Sequence, residues 1–378
     1  MIIKKILVIP DSFKGTIPST RACKIIKKAL NDALPEIEVE TFPIADGGEG
    51  TLDCFTYIKD TTYIEASVKN AIMKDIVSSY VVFDETAVIE TASTAGFSLY
   101  REFSNPINTT TYGLGMLARD AISRGYKRII IGLGGSCTND AGAGLASALG
   151  TKFLNRNGEV FIPTGGNLAE VMDIDISETK ELLKDIEIIG MCDVTNPMYG
   201  EKGAAYIFAP QKGASPENVV FLDNQLMCLA KVINKKFNMN IDKIVGGGAA
   251  GAMGAGIVAF LNGKLIRGID VLLELIDFTS LLDSTDLVIT GEGRFDNQSL
   301  DGKVVSGITA ITKSKNVPTL VVTGAIGKDL PSLAPYGIIN VFKTHKINFH
   351  QPYNEICLQA EQSLYKTMLD VSCYIKEL

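Results

Sequence analysis

Two short loops near the start of the chain have the composition of anion-binding sites. Asp11, Ser12 and Lys14 directly follow the first apolar run, and Asp46 opens the motif Asp-Gly-Gly-Glu-Gly after the second. Adjacent glycines let a backbone approach a ligand closely, and a lysine can hold a carboxylate or phosphate as a point charge. Asp46 could ligate Mg²⁺, which prefers carboxylate and water oxygens. The alternative is two ordinary turns, with Asp46 capping a helix.

A third loop, Gly-Leu-Gly-Gly-Ser-Cys-Thr-Asn-Asp at 132–140, follows the apolar run Arg-Ile-Ile-Ile. It invites comparison with the dinucleotide fingerprint G-x-G-x-x-G, but Cys137 occupies the sixth position and no acidic residue closes a second strand about 20 residues later. Asn139 and Asp140 are acceptors near a helix start, which suits a metal-bound phosphate better than a bare pyrophosphate. We interpret the segment as an anion loop of a non-Rossmann kind; tight turn packing is the alternative.

Further acids follow two more predicted strands. Asp193 ends the strand Ile-Glu-Ile-Ile-Gly and is a candidate general base or metal ligand, or else an Asx-turn residue. The strand Thr285–Thr290 ends in a segment that contains Glu292, Arg294 and Asp296, where a charged ligand would meet N–H donors and a guanidinium together. The alternative there is a surface salt-bridge loop. Lys212, between Gln and Gly, could reach a ligand, but we interpret it as a surface lysine because surface lysines usually do not.

Composition excludes several classes of protein. The 378 residues suggest two domains, and 46% hydrophobic with 21% charged residues is typical of a globular chain. A net charge of −7 and a pI near 5.1 argue against nucleic acid as a partner. The uncharged stretch 244–261 is too rich in glycine and alanine for a membrane helix. Seven cysteines without a C-x-x-C, and no signal peptide, predict reduced thiols in a cytoplasmic protein.

The elements that must position these loops predict an α/β fold. A βαβα beginning and three later strands, near residues 285–290, 317–323 and 337–342, indicate a five-stranded, doubly wound parallel sheet of flavodoxin-like type. A second α/β domain, about residues 66–282, interrupts it, so the first domain comprises 1–65 and 283–378. Inside the insertion we expect a helix over about 109–124, one from Ser215 towards residue 237, and hairpins around 77–91 and 151–163. By spacing alone, the chain is an α/β enzyme with several anion-binding loops facing a cleft.

Taken together, the motifs resemble the glycerate kinase type 1 family of bacteria. They run in family order along nearly the whole chain, and each alone would be weak. The blocks that carry the resemblance are PDSFKGT at 10–16, ADGGEGT at 45–51, GLGGSCTNDAGAG at 132–144, CDVTNP at 192–197, GAAYIFAPQKGAS at 203–215, GGGAAGAMGAG at 246–256 and ITGEGRFDNQSLDGK at 289–303. The segment THKINFHQP at 344–352 departs from the family pattern.

The resemblance implies phosphorylation of D-glycerate with ATP and Mg²⁺, with the 2-hydroxyl as the expected acceptor, and it implies the same two-domain architecture. Phosphoryl transfer needs positioning and charge neutralisation. We therefore expect Asp193 to act as base or metal ligand, with Asp46 and Asp140 as the other metal-binding acids. Arg294 is expected to act with Asp193 and Asp46 in catalysis. The glycine loops are expected to wrap the nucleotide, through Gly134, Gly135, Ser136, Asn139, Gly247 and Gly248.

The remaining polar loops are assigned to the acid substrate. Lys14 and Arg294 are expected to hold its carboxylate or the γ-phosphate, and Asp11, Ser12, Glu292 and Asp296 complete the predicted substrate-binding set. Two other functions stay open at this stage: a nicotinamide-dependent hydroxy-acid oxidoreductase, and a two-lobed acid-binding protein without catalysis. The oligomeric state also stays open, a homodimer included.

Overall fold

The computed structural model describes residues 2–13, 15–97, 105–300, 304–328, 330 and 332–378. Its strands fall into three sheets. In chain order they are β1 (Lys5–Pro10), β2 (Glu38–Thr41), β3 (Thr62–Lys69), β4 (Asp75–Phe83), β5 (Thr86–Glu90), β6 (Arg128–Gly132), β7 (Lys152–Leu154), β8 (Val160–Phe161), β9 (Asp173–Asp175), β10 (Glu187–Met191), β11 (Lys264–Ile266), β12 (Leu287–Phe295), β13 (Thr319–Ile326) and β14 (Ile338–Lys343).

The α-helices of the described residues alternate with these strands over much of the chain. They are α1 (Ser19–Ala33), α2 (Thr51–Ile58), α3 (Ala92–Ala95), α4 (Tyr112–Ser123), α5 (Ala143–Ala148), α6 (Ser177–Leu182), α7 (Ala204–Phe208), α8 (Pro216–Phe237), α9 (Ala249–Leu261), α10 (Gly268–Leu275), α11 (Phe278–Leu281), α12 (Val304–Ser314) and α13 (Tyr353–Glu377). None of the helices within these described ranges combines the length and the apolar character that crossing a membrane requires.

Five strands from the two ends of the chain form one parallel sheet in the order β14-β13-β12-β1-β2. Numbered by chain order within the sheet, this is 2-1-3-4-5, the flavodoxin-like doubly wound order. The apolar stripe of α1 and that of α13 pack on this sheet, because both helices repeat apolar residues at helical spacing. The predicted fold class, with two strands from the front of the chain and three from the back, is confirmed.

The middle of the chain forms a six-stranded sheet in the order β11-β10-β6-β5-β4-β3. The first four strands are parallel to one another. The predicted hairpin places β4 antiparallel to β5, and β3 pairs antiparallel with β4 at the edge of the sheet. The predicted hairpin near Asn157 is also present: β7 pairs with β8 around a turn in which Gly158 has a positive φ, and β9 completes a three-stranded sheet. Helix α8 begins where predicted, because Ser215 Oγ accepts the amide hydrogen of Asn218.

Contacts between Cα atoms divide the chain into two compact units. The smaller unit comprises residues 1–45, 53–59 and 269–378 and contains the five-stranded sheet. The larger comprises residues 46–52 and 60–268 and contains the other two sheets. The motifs therefore fall into two sets, which are described separately below.

Two element boundaries differ from the sequence prediction. The strand predicted to end at Thr290 continues to Phe295, because β13 pairs alongside it as far as Ile326. Glu292 and Arg294 are therefore strand residues, and only Asp296 follows the strand. Helix α4 begins at Tyr112 and not near residue 109, because the side chains of three buried threonines before it bond to the loop after β6.

Candidate active site

In the larger unit, four parallel strands end at one edge of the six-stranded sheet. The strand register aligns Glu90, Gly132, Met191 and Ile266, the last residues of β5, β6, β10 and β11. The loops that follow these strands therefore start side by side. Ligands of open α/β sheets bind outside the carboxyl ends of the strands. This edge is hereafter called the loop edge.

The loop at 46–50 lies against the loop edge. Gly134 N donates to Gly47 O over 2.8 Å, and a Cβ at Gly134 would lie 2.3 Å from Gly48 Cα, so only glycine allows this approach. Asp46 is half-buried, and its Oδ1 accepts the amide hydrogen of Gly48 over 3.0 Å. The Asp46 motif and the glycine loop after β6 are thus brought together within one unit.

Glu90 is a polar residue of the loop edge that the sequence analysis missed. Its carboxylate is 9% exposed, and Oε1 accepts the amide hydrogen of Leu52 over 2.8 Å in the first turn of α2. A carboxylate at the N-terminus of a helix satisfies an unpaired N–H and interacts favourably with the positive end of the helix dipole. The available signal was an acid that closes a buried strand, the same signal that drew attention to Asp193.

Asp140 is completely buried, and its carboxylate holds the loop after β6 in place. Oδ2 accepts from Thr111 N (2.7 Å), Thr111 Oγ1 (2.8 Å), Thr110 Oγ1 (3.3 Å) and Gly144 N (3.2 Å), and Oδ1 accepts from Gly142 N (3.2 Å). Burial raises the pKa of Asp140, while the hydrogen bonds from Thr111, Gly144 and Gly142 act in the opposite direction. The carboxylate is engaged by its own loop and by the start of α4.

Replacing Asp140 with asparagine is expected to destabilise the protein by about 3 kcal/mol or more. Both carboxylate oxygens face donors, so either orientation of the amide places its NH₂ group against N–H or O–H donors. Urea unfolding of Asp140→Asn, compared with Asp60→Asn at an exposed site, measures the effect. Equal midpoints for the two variants would contradict the structural role given to Asp140.

The glycine-rich segment 246–251, which includes the first residues of α9, packs onto two of these loops. Gly248 N donates to Asn196 O over 2.9 Å, and Ala141 N donates to Gly251 O over 3.0 Å. Gly251 has a φ of +68°, and a Cβ there would lie 2.0 Å from Thr138 O. The segments 132–140, 192–197 and 246–251 therefore form one packed group at the loop edge.

Asp193 follows β10 in this group. Its side chain is exposed, and Oδ1 accepts the amide hydrogen of Gly268 over 2.8 Å, just after β11. This bond ties the loop after β10 to the neighbouring strand. The carboxylate is therefore both oriented by a backbone donor and open to solvent, as a proton acceptor or a metal ligand must be.

The interpretation of Lys212 as a surface lysine was wrong. It is 3% exposed, and its Nζ donates to Ser136 Oγ over 2.9 Å and to Thr138 O over 2.7 Å. Burial lowers the pKa of Lys212 to about 8, against opposing effects of Cys137 and Asp140. No local feature of the sequence around residue 212 indicated this, because the contacts are with a loop more than seventy residues earlier.

In the smaller unit, Asp11, Ser12, Glu292, Arg294 and Asp296 lie around the neighbouring strands β1 and β12. Asp11 N donates to Gly291 O over 2.8 Å, and Ser12 N to Asp11 Oδ1 over 2.6 Å. The strand order reverses between β1 and β12, which is the ligand-binding position in doubly wound sheets. The structure thus brings Asp11 and Ser12 to the start of the segment 291–296.

The charged residues of β12 differ in exposure. Glu292 is 9% exposed, while Arg294 is exposed and its Nε donates to Asp296 Oδ2 over 3.0 Å. Lys14, the predicted anion-binding lysine of the first loop, lies outside the described residues. Arg294 and Asp296 therefore form an ion pair at the surface, which leaves the other guanidinium nitrogens of Arg294 to other acceptors.

The carboxylates predicted to bind a metal do not form one cluster. Within the described ranges, no three His, Cys, Asp or Glu side chains are grouped so as to hold a metal ion. Asp46 and Asp193 are accessible to differing degrees, and the oxygens of Asp140 already accept five hydrogen bonds.

The doubly wound sheet and the second unit, whose glycine loops gather at one strand edge, define an α/β protein built from two compact units. The chain belongs to the glycerate kinase family, whose model matches residues 6–376. The resemblance inferred from the motifs is confirmed. Family membership places the protein among the kinases, and it favours neither the oxidoreductase nor the acid-binding protein.

The similarity to known proteins extends along almost the full length of this chain. The chain is 37% identical to glycerate 2-kinase of Escherichia coli over 96% of this chain and 98% of that protein. It is 35% identical to glycerate kinase of Bacillus subtilis, over 98% of both. Among solved structures it is similar to the "putative glycerate kinase 2" of Salmonella typhimurium, with 33% identity, a TM-score of 0.86 and coverage of 100% of this chain and 99% of that one.

Proposed function

We propose that this protein transfers the γ-phosphoryl group of ATP to D-glycerate in a Mg²⁺-dependent reaction, and that the product is 2-phosphoglycerate. The observation that carries the proposal is the gathering of four motif loops at the loop edge of one unit in a member of the glycerate kinase family. The similarity to glycerate 2-kinase of Escherichia coli supports the 2-hydroxyl as acceptor.

The nucleotide is assigned to the loops at 132–140 and 246–251. Gly135 and Ser136 would present backbone and hydroxyl donors, Gly134 would let the backbone approach the ligand, and Gly247 and Gly248 would close the opposite side. Asn139 supports this assignment, because it is 0% exposed and neither atom of its side-chain amide has a partner among the described residues. Buried amides are nearly always hydrogen-bonded, so a ligand is expected to satisfy this one.

Asp46 and Asp193 are the residues proposed to hold Mg²⁺. Mg²⁺ is usually bound by one or two carboxylates together with substrate phosphates, and these two accessible carboxylates fit that pattern. The ion would offset the negative charge on the transferred group. Asp140 does not fit the metal-binding role expected of it, because its oxygens already accept five hydrogen bonds within the loop.

D-Glycerate is assigned to the residues around β1 and β12. Asp11, Ser12 and Glu292 would contact its hydroxyl groups. Lys14 is proposed to bind its carboxylate, together with the guanidinium of Arg294, which Asp296 orients. A planar guanidinium matches a carboxylate in a two-point contact.

Asp193 is proposed to accept the proton of the attacking hydroxyl. The bond from Gly268 N orients the carboxylate, and the exposure of the side chain allows a substrate hydroxyl to approach it. A positioned general base contributes typically about 10²–10⁴-fold to rate.

An assay of ADP formation with ATP, Mg²⁺ and D-glycerate tests the proposal. We expect turnover that requires all three, little activity with lactate or glycolate, and a ³¹P NMR spectrum of 2-phosphoglycerate. A spectrum of 3-phosphoglycerate would contradict the position of transfer alone. Absence of D-glycerate-dependent ADP formation would contradict the proposed reaction.

The proposed reaction does not depend on a cytoplasmic location or on a particular oligomeric state. The location remains a prediction from cysteine usage, and the seven cysteines are free in the structure.

A further inference from the structure

Lys212 is a buried cation in the described part of the chain whose charge no carboxylate pairs. Its two hydrogen bonds go to a hydroxyl and a carbonyl, Ser136 Oγ and Thr138 O, which are neutral acceptors. Asp140 acts on it only at a distance, since that carboxylate is engaged by Thr110, Thr111 and backbone amides. A buried charge without a paired counter-charge is costly, and an anionic ligand beside it would offset that cost.

Two polar side chains beside the contacted carbonyl are also unsatisfied. Thr138 and Asn139 are both 0% exposed, and neither the Thr138 hydroxyl nor the Asn139 amide has a hydrogen-bond partner among the described residues. Both lie within one residue of the carbonyl that receives the Lys212 hydrogen bond. An unpaired ammonium, a hydroxyl and an amide thus occur together on the loop that follows β6.

We propose that Lys212 is a ligand-binding residue that, with Asn139 and Thr138, binds a phosphoryl group of the nucleotide. This inference rests on the proposed kinase function and adds a residue to it. Three N–H donors on the ammonium allow one more hydrogen bond beyond those to Ser136 and Thr138. The phosphoryl oxygens supply the negative charge that the site lacks, and the neutral donors satisfy their remaining lone pairs.

The chemistry of the donors favours phosphate over carboxylate. Lysine acts as a compact point charge and is a common phosphate ligand, whereas planar carboxylates are matched best by arginine. The surrounding loop is glycine-rich, so its backbone can approach the several oxygens of a phosphoryl group. The site also lies in the unit to which the nucleotide is assigned, whereas the proposed glycerate residues belong to the other unit.

Calorimetric binding of Mg·ADP, 2-phosphoglycerate and D-glycerate tests this inference. Lys212→Met removes the charge with similar side-chain volume, and Lys235→Met, on the exposed part of α8, makes the same change in net charge. We expect Lys212→Met to weaken Mg·ADP binding by about tenfold to a hundredfold, as for the loss of a hydrogen bond to a charged group. Lys235→Met should bind like the wild type, and the affinity for D-glycerate should not change in either variant.

A measurement on the wild-type protein covers the case in which Lys212→Met does not fold. Acetylation by acetic anhydride, quantified by mass spectrometry, should be slowed by Mg·ADP at Lys212 and unaffected at Lys235. Unchanged labelling of Lys212 and unchanged Mg·ADP affinity of a folded Lys212→Met would each overturn the inference.

The ligand dependence separates this inference from the proposed function. Weakened binding of 2-phosphoglycerate alone would overturn the inference, because the phosphoryl group bound by Lys212 would then belong to the product and not to the nucleotide. A loss confined to D-glycerate would overturn it, because the bound anion would then be the carboxylate. Wild-type protein that binds no Mg·ADP and forms no ADP would overturn the proposed function itself, and this inference with it.

Discussion

Replacement of Asp193 by asparagine is expected to lower kcat about a hundredfold or more, with little effect on stability. Asparagine keeps the Oδ1 acceptor for the amide hydrogen of Gly268, so the loop between β10 and β11 should retain its position. What is lost is the carboxylate that accepts the proton or ligates the metal. Steady-state kinetics with saturating ATP and D-glycerate, together with thermal unfolding, measure both effects.

Asp185→Asn is the matched control, because Asp185 is exposed and lies just before β10, at the other end of the same strand. Its kcat should equal that of the wild type. A Mg²⁺ titration of Asp193→Asn separates the two roles: a metal ligand predicts partial recovery at high Mg²⁺, and a general base predicts none. An unchanged kcat in Asp193→Asn would remove this residue from the mechanism.

Gly251→Ala is expected to lower the free energy of unfolding by about 3 kcal/mol or more and to abolish measurable nucleotide binding. The new methyl group would lie 2.0 Å from Thr138 O, a backbone atom of the loop after β6, at a residue whose φ is +68°. The first residues of α9, which have non-helical φ and ψ at 250–252, would have to separate from the loop at 138–141. Urea unfolding and Mg·ADP calorimetry are the measurements.

Gly158→Ala separates the two causes of destabilisation in Gly251→Ala, which are the steric clash of the new methyl group and the strain of a positive φ. Gly158 has a φ of +77°, but no atom lies within 4 Å of a Cβ built there. It should therefore show only the conformational cost, about 1–2 kcal/mol, and normal nucleotide binding. If Gly251→Ala unfolds at the same urea concentration as Gly158→Ala, the packing of the two loops is not as tight as described.

Much of the fold was predictable because its signals are local. Four strands of the five-stranded sheet, β1, β12, β13 and β14, contain a short apolar run, and α1 and α13 carry apolar residues at helical spacing. Two strands at the front and three at the back then leave few connections compatible with right-handed crossovers. The end of β12 was less predictable, because the segment with Glu292 and Arg294 becomes strand only through pairing with β13.

The site was predictable as a set of loops, but the partners of its side chains were not. Glycine and acid motifs after apolar runs indicated where ligands could approach. Whether Asp140 faces a ligand or its own loop depends on Thr110 and Thr111, some thirty residues earlier. The burial of Lys212 likewise depends on a distant loop. The spacing of residues in the sequence does not indicate which distant segments will be in contact.

Hydrogen exchange measured by mass spectrometry, with and without the Mg²⁺ complex of a non-hydrolysable ATP analogue, tests most directly whether the loop edge is where the nucleotide phosphates bind. The account predicts slower exchange in peptides covering 133–141 and 246–252, and unchanged exchange in the three-stranded sheet of β7, β8 and β9. Protection confined to other peptides, with these two segments unaffected at saturating nucleotide, would contradict it.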